Sequence, residues 1–257
     1  MALVLNEEQV MLKDAAAGFL AEKATVEHLR ALRDSNDENG YDTAVWQEMA
    51  EMGWAGIAIP EEFGGLGYGY TGLGLVLEQA GRNLSASPLQ SSVLTGATAV
   101  AEMGSAAQKE ALLAAIAGGE CVVSLALQEG PHHAPENTAA TATADDDGFV
   151  LNGDKCLVLD AHRADQFVVI ARTGGEPGDT AGLSAFLVPA DAAGLSVDRR
   201  SMVDSRNAGA VVLKDVRVAG DALMGEAGAA WDGLTRTLDI ANNGQAAELL
   251  GLSTDCL

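Results

Sequence analysis

Apolar side chains in the first 119 residues recur at helical spacing. Leu12, Ala16, Phe19 and Leu20 form one stripe; Asn6 is placed to cap it, Gln9 sits at the third helical position, and Leu5 can staple onto Val10. A second helix is predicted from an Asp42 cap through Val45, Trp46 and Met49 to Gly53. Ser105 with Gln108 opens another that ends at Gly118-Gly119. Thr71–Arg82 and Val93–Met103 carry the same period, so the block to residue 119 is expected to be an all-α domain.

From Cys121 the texture changes to short β-branched runs between turn residues. Strands are predicted at Cys121–Leu127, Thr138–Ala144, Phe149–Leu159, Gln166–Ala171, Leu183–Val188 and Ala210–Val218. Asp147-Gly148 reads as a hairpin turn, and Asn152-Gly153 as a bulge or a second turn. With no helical period between them, these strands predict an antiparallel β-barrel or sandwich and not an alternating parallel sheet.

After Gly225 the helical period returns, with Trp231, Leu234, Leu238, Ala241, Gln245, Leu249 and Leu252 on one face. Nothing local covers that stripe, so its expected partner is a continuation of the chain or another subunit. The expected fold class is α+β multidomain: a helical domain at 1–119, a middle β domain at 120–224, and the opening helix of a truncated helical domain at 225–257.

Composition adds bounds. The 257 residues are 48% hydrophobic and 20% charged, enough for real cores and long enough for more than one compact unit. A formal net charge of -22 opposes binding to nucleic acid and to anionic membrane surfaces. A polyanionic ligand would need a local cationic patch; Arg199, Arg200 and Arg206 can supply one, or can be ordinary surface residues. Cys121, Cys156 and Cys256 lack CxxC spacing and an even count, which argues against a disulfide framework or a zinc site and for a reducing cytoplasm. Met1-Ala-Leu-Val-Leu-Asn6 has no basic leader region, and no apolar run approaches the ~18 residues of a membrane span.

Several motif matches fail their context. Gly67-Tyr-Gly-Tyr-Thr-Gly72 spells GxGxxG, but no strand leads directly into it and no acid follows at the required distance, so a helix-entry loop is expected. The prolines around His132-His133 favour a plain loop over a metal site. Asp145-Asp-Asp147 lacks the spacing of a calcium loop. Ser124 has no assignable histidine partner for hydrolase chemistry.

Other phrases carry a resemblance. Ile59-Pro-Glu-Glu-Phe-Gly-Gly65 followed by Leu77-Glu-Gln-Ala-Gly-Arg82, then Phe149-Val-Leu-Asn-Gly-Asp-Lys155, Val168–Arg172, Val211–Val218 with Leu223-Met-Gly225, and Ala246–Gly251 resemble, in order, the acyl-CoA dehydrogenase family. The resemblance covers nearly the whole chain but only two and a fraction of that family's three domains. It implies an FAD-dependent oxidoreductase of fatty-acid and lipid metabolism that removes an α-proton from an acyl-CoA thioester and passes the β-hydrogen to flavin. Oligomeric assembly and an electron-transferring flavoprotein partner are implied with it.

The family's site residues transfer unevenly. Its flavin contacts fall on Leu125, Leu127 and Gln128 in one segment and on Leu157 and Leu159 in a second, where the family carries hydroxyl and aromatic side chains. Gly130-Pro-His-His-Ala-Pro135 replaces a small loop that touches flavin and substrate in the family, which marks Ala134 as a substrate contact. Asp239 is the corresponding candidate on the last helix. No catalytic base is assignable: the position that carries it in some members is Ala241, and Glu248 reads as an ordinary solvated helix-face acid. The alternative function is therefore a non-catalytic, flavin-poor subunit or scaffold of a heteromeric acyl-CoA dehydrogenase.

Overall fold

The computed structural model describes residues 4–256; Met1–Leu3 and Leu257 lie outside the described residues. Its first layer is helical: α1 (Glu7–Lys23), α2 (Val26–Asp34), α3 (Thr43–Glu51), α4 (Gly69–Asn83), a π-helical turn (Leu89–Gly96) running into α5 (Ala97–Met103), and α6 (Ala106–Ala117). Local caps explain the starts. Asn6 with Gln9 and Ser105 with Gln108 both form reciprocal capping boxes, and the Asp42 side chain accepts from Ala44 and Val45 N–H. Helix α4 begins inside the GxGxxG phrase, after a 3-10 turn at Glu61–Phe63 and not after a strand, as expected for a helix-entry loop. The segment predicted as one helix from Val93 starts earlier and opens in π-helical form.

The β part comprises β1 (Val123–Ala126), β2 (Thr141–Asp145), β3 (Gly148–Leu159), β4 (Gln166–Arg172), β5 (Leu183–Pro189), β6 (Leu195–Ser201), β7 (Asn207–Ala219) and β8 (Leu223–Met224). They form an 8-stranded sheet in the order β6-β7-β3-β2-β4-β5-β8, with β1 beside β4. Neighbours pair antiparallel except β1 on β4 and a one-residue β2–β4 contact at Thr141 and Arg172, so the sheet is mixed and lacks crossover helices. Asn152-Gly153 is a bulge, where the β3–β7 register shifts.

Strand β4 explains how the layers join. Its apolar run has both faces covered: Val168 and Ile170 pack into the helical core, while Phe167, Val169 and Ala171 pack into a second core with Leu151, Phe186, Val211 and Val216. The buried Arg172 closes this end of the strand by donating to the Thr138, Glu136, Asp179 and Ala181 carbonyls.

Helix α7 (Trp231–Asp255) corrects the expected stripe. Leu234, Thr237, Gly244, Glu248 and Gly251 are buried, whereas Leu249 is exposed. Its cover lies within the chain: it crosses α4 where a side chain at Gly251 would strike the Glu78 carbonyl, and one at Gly81 would strike the Glu248 carbonyl. Glycine on both helices is what permits this approach, so the contact is main chain on main chain. Among the described residues, no helix is long and apolar enough to cross a membrane.

Candidate functional site

The two segments singled out by sequence meet at one end of the sheet. Cys156 N–H donates to the Gln128 carbonyl at 2.7 Å, and Ser124 Oγ donates to the Leu159 carbonyl at 2.8 Å, so the exit of β1 lies against the end of β3. Leu157 stands at φ +52° with 49% of its surface exposed; Leu125 and Leu159 are half-buried and Leu127 is buried. The exposed Leu157 offers an apolar contact of the kind that suits a planar aromatic ring. Gln128 is the one polar side chain among the five positions, and its amide is turned into its own loop, donating to the Gly130 and His132 carbonyls at 2.5 and 2.6 Å. The residues thus fit a ring system held by apolar contact and main-chain groups, and they offer its polar edge no free side-chain donor.

Beneath this loop lies a buried ion pair. Lys155 Nζ, with its side chain 0% exposed, sits 2.5 Å from Glu129 Oε1 and 3.2 Å from the Leu127 carbonyl. Glu129 also accepts from Ala139 and Ala140 N–H. Burial pushes the Lys155 pKa down, against the pull of Glu129. The pair fixes the start of the 130–135 loop, where Ala134 lines an open pocket of about 290 Å³ with Gln128 and His132. Both His132 and His133 are exposed, and no metal-ligating cluster exists among the described residues.

On the opposite side of Leu159 is a smaller cavity of about 60 Å³, lined by Gln90, Asp160, Arg206, Asn207 and Glu248. Three elements that sequence reasoning kept apart converge there. Glu248 of α7 is 5% exposed, not a solvated helix-face acid; Arg206 donates to its Oε1 at 2.7 Å and Gln90 to its Oε2. Asp160 takes a 2.5 Å hydrogen bond from Ser91 Oγ. Asp160, Gln90, Ser91 and Asn207 belong to no motif that would single them out, and Arg206, offered by the sequence as part of a cationic patch or as an ordinary surface residue, is instead bonded to Glu248. Asp239, by contrast, is exposed and lines neither cavity.

Burial pushes the Asp160 pKa up to about 6 from 3.8, although Ser91 and Asn207 hydrogen bonds oppose the rise. The folded state therefore holds the proton more tightly than the unfolded one. That contribution is complete below 3.8 and is lost as pH rises through about 6, a swing on the order of 3 kcal/mol. Asp160→Asn is expected to gain stability relative to the parent between acid and neutral pH. Denaturation midpoints of the two proteins that stay parallel across that window would refute this.

The geometry can be set beside known proteins. Residues 6–120 match the family model for the acyl-CoA dehydrogenase N-terminal domain, and residues 128–216 match that for the middle domain. The short-chain specific mitochondrial acyl-CoA dehydrogenase of Sus scrofa is 30% identical over 98% of this chain, which spans 62% of that enzyme's length. Among solved structures, a variant of the Tcur3481-Tcur3483 steroid ACAD superposes with a TM-score of 0.82 at 33% identity, covering 97% of this chain and 64% of its counterpart. The ChsE4-ChsE5 complex from Mycobacterium tuberculosis gives 0.85 at 25% identity, covering 98% and 65%. Two adjoining family models in the expected order, over a fold shared with these relatives, establish that the chain belongs to the acyl-CoA dehydrogenase family.

Proposed function

We propose that this chain forms the helical and middle parts of a flavin-dependent dehydrogenase acting on an acyl-CoA thioester. The observation that carries the reading is the exposed Leu157, held where the end of β1 meets the end of β3. Leu125, Leu127, Leu157 and Leu159 would hold the isoalloxazine face of FAD, with main-chain groups near Gln128 meeting its edge. When bound, the flavin supplies the acceptor for the β-hydrogen. The chain's own residues shape and dry the pocket beside it, and Ala134 with Asp239 are proposed to meet the substrate. Glu248 is held by Arg206 and Gln90 and is not free to act as the base. The base is therefore proposed to come from a third helical domain or a neighbouring chain.

A second reading rests on Gln128 turning inward and on leucine at both 157 and 159. On it, the chain is a flavin-poor subunit paired with an active relative. Purification separates the two: flavin absorbance that bleaches with an acyl-CoA thioester supports the dehydrogenase, whereas a colourless chain that copurifies with a larger relative supports the scaffold. Losing a neutral hydrogen bond costs ~0.5–1.5 kcal/mol. Restoring hydroxyls with Gln128→Thr and Leu159→Thr is accordingly expected to tighten FAD binding by about tenfold, measured by titrating apoprotein. An unchanged affinity would remove these positions from the flavin contact.

A further inference from the structure

Four arginines meet at a cleft of about 310 Å³ between α2 and the β6–β7 connection. Arg33, Arg199, Arg200 and Arg206 line it, with asparagine and serine side chains between them and no carboxylate. In a chain of net charge -22 such a place is a local exception, and its field draws anions that the rest of the surface repels.

The arginines are not equivalent. Arg33 pairs with Asp34 at 2.8 Å and Arg200 with Asp198 at 2.9 Å, but these are exposed pairs, which are worth little and exchange readily. Arg206 is committed to Glu248 at 2.7 Å and lies 3.7 Å from Asp204. Arg199 makes no ion pair among the described residues: its guanidinium donates to the Asp37 carbonyl at 2.5 Å and to Asn207 Oδ1 at 3.0 Å. Those neutral acceptors fix its orientation and leave it without a carboxylate in direct contact, a preorganised fork for a phosphate or carboxylate.

The cleft also continues inward. Leu29, Gly40, Ser205, Arg206 and Asn207 line both it and the Asp160–Glu248 cavity, whose inner wall includes Leu159. We propose that this arginine cleft is an anion subsite, taking the phosphate or carboxylate group of a ligand whose other end reaches the inner cavity; this rests on the acyl-thioester reading above. Two sources share that chemistry: the phosphates of the thiol carrier, and a distal carboxylate on the acyl group.

Calorimetric titration of the purified full chain with inorganic pyrophosphate tests the site. Saturable binding that weakens with added salt is expected. Arg199→Gln should lower the affinity by about tenfold or more, and the exposed double variant Arg33→Gln/Arg200→Gln by a smaller factor. If Arg199→Gln fails to fold by circular dichroism, the double variant decides. Displacement of pyrophosphate by adenosine 3′,5′-bisphosphate assigns the phosphate source, and displacement by glutarate the carboxylate source. Absence of binding by the parent chain to any of the three ligands, or undiminished pyrophosphate affinity in the folded variants, overturns the proposal. Pyrophosphate binding needs neither flavin nor turnover, so its failure leaves the dehydrogenase reading standing, and a colourless chain that still binds pyrophosphate separates the two the other way.

Discussion

Gly251→Val is expected to destabilise the protein by about 3 kcal/mol, read as a fall in urea midpoint with unchanged slope. The atom that a Cβ would strike is the Glu78 carbonyl of α4, and Arg82 N lies next to it at 3.1 Å. Backbone in the middle of a helix cannot rotate away as a flexible side chain can. A helical glycine ordinarily gains ~1 kcal/mol when replaced by alanine, but here the steric term is larger and opposite. The control is Gly18→Ala in α1, where nothing lies within 4 Å of the new methyl group and a modest gain is expected. A Gly251→Val protein as stable as the parent would mean that α4 and α7 do not cross this closely.

Glu129→Ala is expected to cost about 3–5 kcal/mol, because it leaves the Lys155 ammonium buried without its counter-charge. It also strands the N–H of the buried Ala140, whereas that of the exposed Ala139 can turn to water. Removing the other partner should cost less. Lys155→Met replaces a fully buried side chain with an apolar one of similar length, while Glu129, whose side chain is 19% exposed, keeps its two amide donors and some water. The double variant Glu129→Ala/Lys155→Met should then be more stable than Glu129→Ala alone. The pH dependence follows from the lowered Lys155 pKa: the unfolded chain keeps its proton up to about 10.5 while the folded one favours release, so the penalty shrinks as pH rises towards that value. Equal losses from the two single changes would show that the site is wetter than the geometry implies.

What the sequence made legible was local or strictly periodic. The capping boxes at Asn6 and Ser105 involve partners three residues apart, and β4 is a continuous apolar run because both its faces are buried. Helix α2 is not among the expected helices although Val26, Leu29 and Leu32 recur at helical spacing: it is only nine residues long and none of them is fully buried. Strand β6 escaped for a related reason, since Asp198-Arg-Arg200 interrupts its alternation and its structure comes from pairing with β7. On α7 the expected stripe holds over the first half, where Leu234 is buried and Trp231 and Leu238 pack on the helical core, and shifts beyond it, because Gly244 sits against Leu94 and Leu77 and Gly251 against the Glu78 carbonyl. Recognition of the five positions in the two flavin segments came from resemblance. The Asp160–Glu248 cavity could not be read at all, for Glu248 meets Arg206 across 42 residues and Gln90 across 158.

The placement of the tryptophans has an experimental consequence. Trp46, whose indole donates to the Gly119 carbonyl, and Trp54, edge-on to Phe19, are both buried in the helical layer, and Trp231 opens α7 against the same core. Residues 121–224 contain no tryptophan. Indole emission will therefore report loosening of the helical layer and remain nearly silent to events within the sheet, so an unlabelled chain reads out one layer selectively.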